Sequence, residues 1–200
     1  MEPFVVFGGV AAPIDQSKVD TDQILPARFL RRPRKEGYGS FLFRDLMDNP
    51  GFVLNQAAYR GAKILVADRN FGGGSSREQA PWALSDYGIR CVIAVDFGDI
   101  FYLNSLKSGV LPVALGFEIC ADLRKQLHAR PGATIEVDLP AQTVTAPDGA
   151  THRFEIDGFR KKCLLEGLDD IGITLQHEAA IAAFETRYRQ RFDWLFHGHV

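Results

Sequence analysis

The chain has 200 residues, 46% of them hydrophobic, and a formal net charge of −2. That supports one sizeable core and gives no electrostatic case for a nucleic-acid surface. No apolar run reaches membrane-spanning length, and Met1-Glu2-Pro3-Phe4 lacks the charged and apolar regions of a signal peptide, so a cytoplasmic chain is expected.

Phe4–Phe7 reads as a first strand that ends at Gly8-Gly9. The stretch from Ala12 to Pro26 is rich in Asp, Pro and Thr and reads as irregular. Asp20 and Asp22 have the spacing that opens a calcium loop, but the glycine and glutamate of such a loop are missing, so helix caps and Asx turns are the plainer reading. Residues 28 to 40 look like a mobile loop. Their basic cluster, Arg28, Arg31, Arg32, Arg34 and Lys35, reads first as solvated and second as meeting an anionic substrate or partner. Phe41-Leu42-Phe43 restarts an apolar pattern, Asn49-Pro50-Gly51 signals a turn, and residues 52 to 60 lead into an apolar strand at 63 to 67.

From there the pattern is regular. A glycine-rich turn, a helix over 79 to 88, a strand over 91 to 95, a short helix over 100 to 106 and a strand over 111 to 115 predict a parallel sheet with right-handed crossovers. A helix over 121 to 130 follows, closed by Pro131-Gly132. Then the period changes to two: 134 to 139, 142 to 145 and 151 to 156 alternate, with Asp148-Gly149 as a hairpin signal. Helices are expected over 159 to 166 and 176 to 190, the latter with Ala180, Ile181, Phe184 and Tyr188 on related faces. One α/β domain spans 1–200. Its core, a loop after the first Asp-rich segment and the glycine turn occupy about 1–125, and antiparallel strands with C-terminal helices about 126–200. Cys91, Cys120 and Cys163 lie far apart with no C-x-x-C pair. They build neither a zinc site nor an iron–sulfur cluster alone and read as buried reduced thiols.

The candidate site is Gly72-Gly73-Gly74-Ser75-Ser76-Arg77, at the crossover from strand to helix. A Walker loop needs Lys after its last glycine and finds Ser75. A dinucleotide fingerprint needs glycine where Arg77 stands. A hydrolase elbow needs glycine two residues after the nucleophile and finds Arg77 or Glu78. What remains is an anion cradle of backbone N–H groups, two hydroxyls and an arginine, or else a structural loop in which Ser76 and Gln79 form a capping box. A serine there acts as a base only if its surroundings stabilise the alkoxide.

Asn70 to Leu84 resembles the hallmark of the small subunits of 3-isopropylmalate dehydratase, which are similar to the swivelling domain of aconitase. Val19–Pro26, Asp99–Ser105 with Gly109–Val113, and Gly167–Glu178 resemble further motifs of that family, in order along the chain. The resemblance implies a swivelling β/β/α domain with a short parallel sheet and an antiparallel hairpin section. It implies a hydro-lyase subunit of leucine biosynthesis, active only with a large subunit that carries a 4Fe-4S cluster, this chain holding no metal. Ser75 would be the base. Arg77, helped by Ser76 and Gly74, would bind a carboxylate of a dicarboxylate substrate, and Asp22 would help set the serine's environment. A specificity loop would fall at about 27 to 38. There Phe29 and Leu30 favour an alkyl substrate, while Arg28, Arg31 and Arg32 suit a third carboxylate. Gly73 and Gln79 replace the family's usual Cys and His, which keeps homoaconitate, citraconate or another alkylmalate open as substrate. A non-catalytic anion-binding module is the reading from another class. His197 and His199 are expected to be solvated, with no metal role.

Overall fold

The computed structural model describes residues 1–196; His197 and His199 lie outside the described residues. Seven strands form one sheet in the order β4-β3-β2-β1-β5-β6-β7. β1 (Val6–Pro13), β2 (Ile64–Val66), β3 (Cys91–Ala94) and β4 (Leu111–Ala114) run parallel. β5 (Thr134–Asp138), β6 (Thr143–Thr145) and β7 (Thr151–Arg153) run antiparallel on the other side of β1.

Alternation along the parallel strands splits the core in two. Ala12, Leu65 and Val92 face one cluster, with Ile24, Phe43 and Leu84. Ala11, Ile64, Val66 and Ile93 face the other, with Leu123, Leu127 and Leu164. Burial on both faces is why β2 to β4 read as continuous apolar runs rather than alternating ones. The first face is covered by two short helices, α1 (Thr21–Ile24) and α2 (Arg44–Met47), and by α3 (Gln79–Tyr87). α4 (Asp99–Lys107) spans the sheet edge, with Phe101 in the first cluster and Leu106 in the second. The second face is covered by α5 (Phe117–Ala129) and α6 (Gly158–Glu166).

Three expectations change. β1 does not end at Gly8-Gly9 but runs through them to Pro13. Neither glycine has a positive φ. At Gly9 an added Cβ would sit 2.8 Å from Lys63 Cβ, so close approach of the chain to Lys63 is what requires that glycine. Second, residues 27 to 41 hold three 3₁₀ turns, Ala27–Phe29, Arg34–Glu36 and Gly39–Phe41. Third, α5 starts at Phe117, ahead of its apolar pattern. α7 (Asp170–Leu175) and α8 (Glu178–Arg191) complete the described helices. Every residue of α8 is exposed, so its apolar side chains Ile181, Phe184 and Tyr188 cover no core.

Candidate active site

The site forms where the parallel strands end, the usual ligand position in an open α/β sheet. Beyond β1, residues 18 to 21 run alongside 69 to 75. Lys18 N donates to Arg69 O at 2.7 Å, Gly72 N to Val19 O at 2.7 Å and Thr21 N to Gly73 O at 3.0 Å. Thr21, only 1% exposed, also donates its hydroxyl to Ser75 O at 2.9 Å. Isolated bridges join Asp20 to Gly73 and Phe71 to Phe97. The glycine loop is thus clamped between its two neighbours in the sheet.

That clamp explains its shape. Gly72 and Gly74 have φ +72° and +88°, a region costly to a residue with Cβ. Gly74, Ser75 and Ser76 are exposed, and their amides donate to no acceptor among the described residues. Three open N–H groups and two hydroxyls at one turn make an anion cradle. The proposed Ser76–Gln79 capping box is absent: α3 starts at Gln79, its N-cap is Glu78, and no side chain bonds there. The box occurs instead at α1. Asp20 Oδ1 accepts from Gln23 N at 2.8 Å, and Asp20 N donates to Gln23 Oε1 at 3.1 Å.

Arg77 is the partly buried charge of the site, its side chain 14% exposed. Its guanidinium pairs with Asp22 and lies 3.5 Å from Leu25 O. Asp22, half exposed, therefore orients Arg77, while the Ser75 side chain stands free at the surface.

The loop at 27 to 38 sorts its own cations. Arg28 pairs with Asp45, Arg34 with Asp86, and Arg32 with Glu36. The hydrogen bonds between Arg28 and Asp45 raise the arginine above its ordinary pKa and lower the carboxyl below its own. Arg31 is exposed and has no carboxylate partner among the described residues. Phe29 and Leu30 are half-buried against the first core cluster, and Phe29 stacks on Phe41 at 4.3 Å.

Sequence reasoning missed one loop-shaping residue. Arg124, 8% exposed, lies among Cys120, Leu123 and Leu127 on the buried side of α5. It donates to Ala67 O at 2.7 Å and to Asp68 Oδ2 at 3.1 Å, fixing the exit of β2 into the glycine loop. A lone arginine on an apolar helix face was the available signal. Arg124→Met removes the donor to the Ala67 carbonyl and to Asp68 Oδ2, and losing such bonds at a part-buried site is expected to cost about 1–3 kcal/mol. A matching drop in the unfolding free energy by denaturant titration checks this.

Residues 1–117 match the aconitase C-terminal domain family, and residues 170–198 match the C-terminal domain of the 3-isopropylmalate dehydratase small subunit. A 3-isopropylmalate dehydratase small subunit of Xanthobacter autotrophicus is 52% identical over 98% of this chain and 100% of its own. The chain belongs to the 3-isopropylmalate dehydratase small-subunit family. Another 3-isopropylmalate dehydratase small subunit, of Saccharophagus degradans, is 47% identical over 98% of each chain. A crystal structure of 3-isopropylmalate dehydratase from Methanocaldococcus jannaschii has a TM-score of 0.70 and 25% identity, covering 90% of this chain and 99% of that one.

As a dehydratase small subunit, the chain acts with a large subunit. Among its described residues no three His, Cys, Asp or Glu side chains group to hold a metal. Burial raises the Cys91 thiol and lifts Cys120 to about 11, so both stay protonated at neutral pH. With all three thiols buried, a thiol reagent at pH 8 is expected to label none in the folded chain and all after unfolding. Counting labelled thiols by mass checks this.

Proposed function

We propose that this chain is the small subunit of a 3-isopropylmalate dehydratase and supplies the base and a carboxylate clamp to a site that a large subunit makes whole. What carries the reading is the coincidence of an exposed Ser75, open loop amides and an oriented Arg77 in a chain so similar to these small subunits. The reaction would interconvert 2- and 3-isopropylmalate in leucine biosynthesis, in the cytoplasm. The large subunit is proposed to carry a 4Fe-4S cluster, which gives Lewis-acid help to the departing hydroxyl.

The work left to this chain is binding and proton transfer. Arg77 accepts a substrate carboxylate in a fork already aimed by Asp22. The loop amides at Gly74, Ser75 and Ser76 hold negative charge on the Ser75 oxygen. That alkoxide takes the proton beside the carboxylate. The C–H electron pair becomes the new double bond as the hydroxyl leaves the neighbouring carbon. Hydroxide adds back to the carbon that lost the proton, and Ser75 returns its proton to the carbon that lost the hydroxyl, which restores the alkoxide. Asp22→Asn weakens the aim of Arg77 without touching the serine. It is expected to raise KM about five-fold, the worth of one hydrogen bond, with a smaller change in kcat. Steady-state kinetics of the two-subunit enzyme check this.

The test of the whole reading is reconstitution. The purified chain alone is expected to be inactive, and activity on 3-isopropylmalate to appear on adding a cluster-loaded large subunit. No activity from the pair on that substrate would sink it. One observation favours a second reading: Arg31 is exposed without a carboxylate partner, as a third carboxylate on the substrate would need. Assaying homoaconitate, which carries the third carboxylate, beside 3-isopropylmalate separates the two.

A further inference from the structure

β1 outruns its parallel neighbour. It pairs with β5 through Val6–Val10 but with β2 through Ala11–Pro13. Its first five residues therefore have β5 on one side and no strand of the described residues on the other. Val5 O accepts from Leu139 N at 2.9 Å, and Ala11 N donates to Ala133 O at 3.1 Å. Odd-numbered residues thus aim their main-chain groups at β5. Val10 O accepts from Lys63 N at 2.9 Å, so even-numbered residues aim the other way. Val6 and Gly8 point N–H and C=O into the space that β2 does not reach, and both are exposed.

That space opens into a notch of about 700 Å³, which is lined along this stretch of chain as far as Phe7, with Gly8 just beyond it. Phe4 to Phe7 form one wall, and Gly88 and Arg90, leading into β3, form the other. β2 lies between β1 and β3 in the sheet, and at the near end of the gap Arg90 reaches across, donating to Pro3 O at 3.2 Å with its guanidinium over the Phe4 ring. Its lining carries Arg34, Lys63 and Arg90 against one carboxylate, Glu2. Arg34 and Arg90 are paired, with Asp86 and Glu2. Lys63 has no carboxylate partner among the described residues, and Arg90 Nε is buried without an acceptor.

We propose that the notch receives an extended, acidic segment of the large subunit, added as a strand beside Val6 and Gly8. The proposal rests on the two-subunit reading above. Main-chain pairing supplies the attraction, as in peptide addition to an open sheet edge, and Lys63 selects for negative charge. A strand edge of a second copy does not fit, because it brings its own sheet and the notch is walled on both sides. The notch lies at the amino ends of the parallel strands, away from Ser75. An arm seated there holds the subunit at a second point while the partner covers the catalytic loop.

The test is hydrogen exchange at single-residue resolution, on the free chain and on its complex with the large subunit. The Val6 and Gly8 amides are expected to exchange fast in the free chain and at least ten-fold more slowly in the complex. Phe7 and Gly9 are expected to be protected in both. Val6→Pro, at the first residue of the strand, removes a notch-facing N–H and leaves the donors that face β5 in place. Lys63→Glu reverses the rim charge at an exposed position. Each is expected to weaken binding of the large subunit at least ten-fold. An active complex in which Val6 and Gly8 still exchange fast, or which Lys63→Glu leaves equally tight, overturns the notch alone. Absence of any complex overturns the two-subunit reading with it. Protection of Val6 and Gly8 in the free chain at high concentration overturns the large subunit as occupant in favour of a second copy.

Discussion

Ser75→Ala is expected to lower kcat of the reconstituted enzyme by about 10³-fold, the usual worth of a positioned proton-transfer group. The substitution is clean in this fold. The Ser75 side chain is exposed, and what Thr21 holds is the Ser75 carbonyl, which alanine keeps. Exposed substitutions of this kind move stability by only about ±0.5 kcal/mol. Melting and affinity for the large subunit should stay put while turnover collapses. Ser76→Ala is the control, with a smaller loss, since that hydroxyl is assigned a binding role. Turnover within ten-fold of the parent for Ser75→Ala would remove the serine as base and leave the loop as an anion cradle.

Gly72→Ala should do the largest damage to the fold for the smallest change in composition. A Cβ at Gly72 lands 2.1 Å from Phe101 Cγ, inside an aromatic group in which Phe101 lies 5.4 Å from Phe71 and 6.3 Å from Phe97. Phe101 is 2% exposed and has no room to withdraw. The φ of +72° adds a further cost. Overpacking costs about 1–3 kcal/mol and the left-handed backbone about 1–2, so a loss of roughly 2–5 kcal/mol is expected by chemical denaturation. Gly74 offers a contrast: an added Cβ there meets Asp20 Cβ at 3.5 Å, ordinary contact, so Gly74→Ala carries the backbone term alone. Equal stability for the two alanine variants would refute the role given to Phe101.

The parallel half of the sheet was legible because β2, β3 and β4 are short apolar runs separated by helices that stop at Gly88 and near Gly109. The antiparallel half was legible from its period of two. What escaped depends on partners distant in sequence. Gly8-Gly9 looks like a turn until Lys63 is seen against it. Ser76-x-x-Gln79 and Asp20-x-x-Gln23 have the same spacing, yet only the second caps a helix. The chain from 69 to 75 is held by residues 18 to 21, so helix α3 begins only where that hold ends. The loop arginines could not be sorted because Asp45 and Asp86 lie 17 and 52 residues from their partners. At the site, Ser75 and Arg77 were found by residue type and family resemblance. The pairing of Asp22 with Arg77 and the Arg124 anchor needed three dimensions.

The central place of β1 has a consequence for synthesis on the ribosome. Its first half pairs with residues 134 to 138, and Phe4 N donates to Leu164 O at 2.9 Å. At typical elongation rates of 5–20 residues per second, the start of the chain waits roughly 8–30 s for those partners to emerge. Until then a nascent strand bearing Val5, Val6 and Phe7 has nothing to pair with on its β5 side. The parallel half is made first, and its pairings leave the first half of β1 open. Closure of the sheet across the first half of β1 is therefore a late event in synthesis, and that first segment is the one a chaperone would hold.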